Sequence, residues 1–137
     1  MHFNIKLLFL MLLISLVFIT ACEEPEQPPA SSSVGGSLLV FGREINEDHE
    51  VLDQDVRFGA GEEFYFYFHN NMPFDTEEVE VRLINNSNDE VLAESSYEVH
   101  PDAKTITDKI WFGGPGRFSI LVQVGDQVRA VREVIIE

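Results

Sequence analysis

From Phe64 to His69 the chain alternates strictly. Phe64, Phe66 and Phe68 fall on one side of an extended backbone, and Tyr65, Tyr67 and His69 on the other. A strand buries those three phenylalanines together on one face of a sheet. A helix would spread them around its axis. The same two-residue period recurs at Glu78 to Ile84, where Val79, Val81 and Leu83 point inward and Glu78, Glu80 and Arg82 outward. It recurs again in Phe118, Ile120, Val122 and Val124. No window from residue 37 onward carries an apolar period of 3.6 residues.

Turn chemistry divides the rest. Asn70-Asn71-Met72-Pro73, Asn85 to Asp89, His100-Pro101-Asp102, Gly113-Gly114-Pro115-Gly116 and Gly125-Asp126 all break extended runs. Further strands are predicted at Ser37 to Ile45, Glu50 to Phe58, Glu90 to Val99 (an edge or mid-sheet strand), Thr105 to Phe112 and Gln127 to Ile136. Seven or eight strands without helices and without an internal repeat predict an all-β sandwich of antiparallel strands. Residues 37–137 suffice for one such core. The stretch Pro115-Gly116-Arg117-Phe118-Ser119-Ile120-Leu121-Val122-Gln123-Val124-Gly125 resembles the penultimate strand of bacterial immunoglobulin-like modules, which read Pro-Gly-x-aromatic-x-apolar-x-apolar before a tight turn. The resemblance implies a single immunoglobulin-like β-sandwich over residues 37–137. The chain departs from antibody-type domains in having no cysteine pair and in placing Trp111 late, so the subfamily stays open.

The first 22 residues follow a different logic. Lys6 and the amino terminus form a short positive region, and Leu7 to Ile19 are apolar except for Ser15. As a helix this run spans about 20 Å, too short for a hydrocarbon core of about 30 Å. It reads as a signal peptide, residues 1–21. Ile19-Thr20-Ala21-Cys22 resembles the lipobox of bacterial lipoproteins. That resemblance implies signal peptidase recognition through Ile19, Thr20 and Ala21, a diacylglycerol thioether on Cys22, and N-acylation after cleavage. Several acyl chains anchor stably where one gives only marginal binding. Cys22 is the sole cysteine, so no disulfide can form within the chain. Glu23 stands where Asp would imply inner-membrane retention, which favours the outer membrane; Glu23, Glu24 and Glu26 also resemble the acidic stretch some phyla use for surface export. The expected location is the cell envelope, periplasmic or surface-exposed. Residues 22–36, rich in Pro, Glu, Ser and Gly, are expected to form a flexible tether carrying the domain off the bilayer.

The charge is strongly acidic, with a formal net charge of −15 over the whole chain. Such a surface repels nucleic acid. It suits solubility in a salty or crowded setting, and leaves room for a cationic partner or divalent ions. The charge is uneven: residues 23–102 hold 20 acids against 3 bases, and residues 103–137 hold 4 acids against 5 bases. The near-neutral last strands are therefore a candidate contact surface.

Candidate sites were weighed by chemistry. Asp53 and Asp55 with Glu62 and Glu63, and a second group of Asp75, Glu77 and Glu78, offer oxygens suited to Ca²⁺, without the glycine and spacing of a helix-loop-helix calcium loop. Solvated loop acids are the plainer reading. His49, His69 and His100 lack metal-ligand spacing, so no metal site is assigned. No nucleophile, oxyanion or phosphate-loop motif is present, and no catalytic residue is assigned. Tyr65, Tyr67 and Trp111, with Tyr97, are candidates for stacking on a glycan; cross-strand aromatic packing is the plainer reading. The expectation is a non-enzymatic, lipid-anchored binding or assembly module. It needs no cofactor beyond the covalent lipid, and its partner is an envelope protein or glycan. A glycan-binding lipoprotein and a Ca²⁺-stabilised adhesive module are the alternatives.

Overall fold

The structure, a computed structural model, describes residues 31–33 and 35–137. The signal peptide with Ile19, Thr20 and Ala21, the lipidation residue Cys22, and the tether up to residue 30 lie outside the described residues.

Among the described residues the chain forms ten strands: β1 (Ser31–Ser33), β2 (Leu38–Ile45), β3 (Val51–Gln54), β4 (Arg57–Phe58), β5 (Phe64–His69), β6 (Glu78–Asn85), β7 (Glu90–Glu98), β8 (Thr105–Ile110), β9 (Gly116–Val124) and β10 (Gln127–Ile136). They make two sheets. One runs β1-β10-β9-β6-β7, with β4 also paired to β10, and the other runs β3-β2-β5-β8. Every pairing is antiparallel except the short parallel one between β4 and β10.

The alternation of β5 does what its period demands. Phe64, Phe66 and Phe68 are fully buried, while Tyr65, Tyr67 and His69 are half-buried on the other face. Opposite them, Val79 and Val81 of β6 and Phe118, Ile120, Val122 and Val124 of β9 close one core between the sheets. Leu83, expected inward, packs at its margin. Phe58 stacks on Phe64 with centroids 3.9 Å apart, and Phe112 on Phe118 at 4.4 Å. Each buried phenylalanine contributes about 1.5–3 kcal/mol.

Three departures from the expected elements have local causes. The predicted strand Glu50 to Phe58 is two strands, β3 and β4, in different sheets. The chain changes sheet at Asp55, whose Oδ1 accepts the backbone N–H groups of Val56 (2.7 Å) and Arg57 (3.1 Å). That bond pattern favours a turn over continued strand. The strand expected to reach Phe112 ends at Ile110. The expected tether is structured at its end: Ser31–Ser33 pair with Ala130–Arg132 of β10. The ordered domain therefore starts before residue 37. A strand needs little apolar surface of its own when it completes a ladder on an existing edge, which composition does not reveal.

Candidate interaction surfaces

The outer face of the four-stranded sheet collects two of the three predicted stacking residues. Tyr65 pairs with Gly42 and Lys109, and Tyr67 with Val40 and Thr107, so both rings stand on one face of β5. Lys109 lies over the Tyr65 ring, 5.4 Å from its centroid, and also pairs with Glu63 at 3.3 Å. That cation occupies one ring face. Trp111 follows β8 directly and is 61% exposed. Tyr97 is elsewhere, on β7 of the other sheet, edge-on to Phe66 at 6.0 Å. Its hydroxyl donates to Asp108 Oδ2 of β8 (2.9 Å), a latch joining the two sheets on their open side. Burial, then that bond to the carboxylate, pushes the Tyr97 phenol well above its ordinary pKa. Sequence alternation alone could not tell that Tyr97 faces inward.

Beside Tyr67 an open groove of about 400 Å³ is walled by Leu38, Val40, His49, Leu52 and Gln54. The hairpin joining β2 to β3 forms its rim. The hairpin comes close because residue 42 is glycine: a Cβ there would lie 2.3 Å from Val51 Cγ1 and 2.5 Å from the Leu52 carbonyl oxygen. A glycine inside a strand pattern signals such an approach.

The first acidic group is brought together, around an arginine. Arg43 donates to Glu62 Oε1 (2.7 Å) and Asp55 Oδ2 (3.2 Å), lies 3.7 Å from Asp53 Oδ2, and donates to the Arg57 carbonyl (3.0 Å). Its guanidinium also covers the Phe58 ring at 4.8 Å. Burial would raise the pKa of Asp55; the backbone N–H groups of Arg57 and Val56 and the Arg43 charge outweigh it and hold Asp55 low. The Gly59 N–H, against burial and with Arg43, holds Glu62 low. The carboxylates of this group are thus neutralised in part by Arg43. Glu63 instead pairs with Lys109.

Of the second acidic group, Glu77 and Glu78 line an open groove with Glu98, Val99, His100 and Pro101. Asp75 holds a left-handed backbone (φ 54°) and its N–H bonds the Pro101 carbonyl at 2.9 Å. The histidines stay apart: His49 sits in the β2–β3 hairpin, His69 bonds Thr105 at 3.1 Å, and His100 lies 3.6 Å from Asp102. Among the described residues no group of three or more His, Cys, Asp or Glu is placed to hold a metal ion.

Of the near-neutral C-terminal strands, favoured by charge as a contact surface, β8 forms an edge of the four-stranded sheet, while β9 and β10 lie inside theirs. β10 is flanked by β9 on one side and by β1 and β4 on the other, and β9 lies between β10 and β6. Only their outer face is accessible, where Arg117 pairs with Glu133 at 3.3 Å. The accessible backbone is at the opposite end. β7 ends the six-stranded sheet, is nine residues long, and is exposed at every position except Tyr97. Ala93 and Ser95, paired with the inward-facing Leu83 and Val81, are exposed as well, because β8 does not reach over them. Val91 and Leu92 are 50% and 45% exposed. Natural edges are commonly short, bulged, or guarded by lysine, proline or inward charges. β8 fits that description, with six residues, Lys109, and Asp108 turned inward. β3 has four residues and a left-handed Asp53 (φ 50°). β7 is far longer and contains neither lysine nor proline, and its one irregularity is a bulge at residues 91–93, where the register with β6 shifts.

Comparison with known proteins adds no relative: no family model matches the chain, and no curated protein is significantly similar to it.

Proposed function

We propose that this protein is a non-enzymatic binding or assembly module of the cell envelope, an immunoglobulin-like domain held to a membrane by lipid on Cys22. The observation that carries the binding part is β7, a long edge strand left open along its length. Adding an extended segment to such an edge is a common mode of protein recognition, with main-chain bonds supplying affinity.

The immunoglobulin-like reading draws on strand order. Seven longer strands divide as β2-β5-β8 in one sheet and β10-β9-β6-β7 in the other. That corresponds to the A-B-E and G-F-C-C′ orders of immunoglobulin-type sandwiches. The lipid anchor draws on Ile19-Thr20-Ala21-Cys22 and the length of the apolar run before it. An outer-membrane location, periplasmic or surface-exposed, draws on Glu23 in place of Asp, and the proposed partner is an envelope protein.

A second reading, glycan binding, draws on the groove beside Tyr67 and on exposed Trp111.

The test is metabolic labelling with palmitate and membrane fractionation of the full chain beside Cys22→Ala. It is followed by affinity capture from gently solubilised envelopes. The proposal expects label and membrane association that both vanish in Cys22→Ala, and a stoichiometric protein partner. An unlabelled soluble chain would overturn the anchor. Recovery of polysaccharide with no protein partner would transfer the assignment to the glycan reading.

A further inference from the structure

We infer that the β7 edge takes an extended cationic segment of a partner, one bearing Lys or Arg at alternating positions, and that the same edge is built to refuse a second copy of this chain. This inference rests on the binding-module reading and specifies its partner.

The acids of β7 are Glu90, Glu94 and Glu98, at equal spacing. Suppose two copies met antiparallel, edge to edge, centred on Glu94. Glu94 would then face its own copy, while the bulge at residues 91–93, where the register with β6 shifts between Leu83 and Ile84, breaks the ladder before Glu90. Like charges directly opposite across a strand pair are unfavourable. Homotypic pairing is therefore opposed by like charge at Glu94 and interrupted by the bulge. Over residues 93–98 the guard is charge, and a partner of opposite charge does not meet it.

The surroundings strengthen the selection. Residues 75–102 carry nine acidic residues and one basic residue, Arg82. Arg82 is already engaged by Glu94 at 2.9 Å and by Glu80. Glu78 and Glu98 stand directly opposite each other across β6 and β7, an unfavourable arrangement in the free protein. A Lys or Arg laid beside them relieves it. The field of this region attracts a cationic chain, and the exposed Val91, Leu92 and Ala93 offer apolar contacts beside it. An acidic or neutral segment finds the same backbone and lacks this attraction. An anionic polymer is repelled.

The test uses the full chain in detergent micelles and an eleven-residue peptide of alternating Lys and Val. Controls are an alternating Glu and Val peptide and a Lys and Val peptide N-methylated throughout, which keeps the charge and loses the ladder. Binding is read by titration, and its location by hydrogen exchange of the β7 amides. The Lys and Val peptide should bind, weaken as salt rises, and slow exchange at alternate β7 amides; both controls should fail to do so. In E90K/E94K/E98K the preference should reverse, with about tenfold to a hundredfold loss for the Lys and Val peptide. E90Q/E94Q/E98Q should lose part of that binding and gain self-association, seen by sedimentation. Thermal melts of both variants should stay close to the parent, because loss of the exposed Arg82–Glu94 pair and relief of the Glu78–Glu98 opposition are each surface effects and oppose each other.

Equal binding of the N-methylated peptide, or binding with β7 exchange unchanged, would overturn the inference, leaving only diffuse charge attraction. A partner captured from envelopes that E90K/E94K/E98K still holds would overturn the edge and its chemistry while leaving the binding-module reading intact. Absence of any partner beside normal peptide pairing would do the reverse.

Discussion

Gly42→Ala tests whether the close crossing of β3 over β2 is required by packing. The added Cβ would sit 2.3 Å from Val51 Cγ1 and 2.5 Å from the Leu52 carbonyl oxygen. Ordinary carbon contacts begin near 3.5 Å, so β3 must move by about 1 Å. Val51 is buried and cannot simply turn into solvent. Overpacking of this kind costs about 1–3 kcal/mol. Alanine in a strand interior would otherwise gain about 0.5–1 kcal/mol over glycine, so the sign of the change is diagnostic. For a domain of this size the loss corresponds to a fall in Tm of roughly 4–24 °C. Thermal unfolding followed by circular dichroism reads it. The companion variant Val51→Ala removes one of the two clashing atoms and leaves the other, so the double variant should recover part of the Gly42→Ala loss. The cycle should show coupling beyond about 0.5 kcal/mol. An unchanged or raised Tm in Gly42→Ala would refute the reasoning.

Further outcomes follow from the same geometry. Tyr97→Phe breaks the latch to Asp108 and should cost about 1 kcal/mol, because a bond to a charged acceptor here is partly open to solvent; an unaltered denaturant midpoint would contradict it. Asp55 and Glu62 are held below their unfolded values, so their contribution is complete above the ordinary carboxylate pKa, near 4–4.5, and is lost as pH falls through the folded values. Arg43→Gln should therefore be less stable than the parent at pH 7, with the gap closing toward pH 3. A gap constant across that range would show that Arg43 acts by packing alone. Trp111→Ala should change stability by less than about 0.5 kcal/mol, since the ring is 61% exposed; a large fall in Tm would place it in the core.

Sequence period and turn chemistry carried the fold a long way, because burial on one face imposes a two-residue period that survives in β5, β6 and β9. Phe64, Phe66, Phe68, Val79, Val81, Ile120 and Val122 are core by that logic and buried in fact. Short elements were illegible for the same reason. β1 and β4 have three and two residues, too few to show a period, and both are held by β10, far along the chain. The acidic group at Asp53, Asp55 and Glu62 was visible as carboxylates; its centre, Arg43, comes from another strand, and composition cannot choose between an arginine and an ion. Tyr97 alternates ambiguously on a strand exposed on both faces, so only the opposite sheet reveals its contacts. Edge position is a property of topology. Charge statistics pointed to residues 103–137 as a contact surface; of their strands β8 is an edge and β9 and β10 are not, and strand order also leaves β7 open.

The most direct test of the central claim places a photoreactive benzophenone amino acid at Ser96, exposed on β7, or at Tyr65 on the aromatic face, in the full chain expressed in its own envelope. After irradiation, crosslinked peptides are sequenced. The account predicts a protein crosslink from position 96, mapping to an extended segment rich in Lys or Arg, and none from position 65. Crosslinks to glycan from position 65, with position 96 silent, would contradict it.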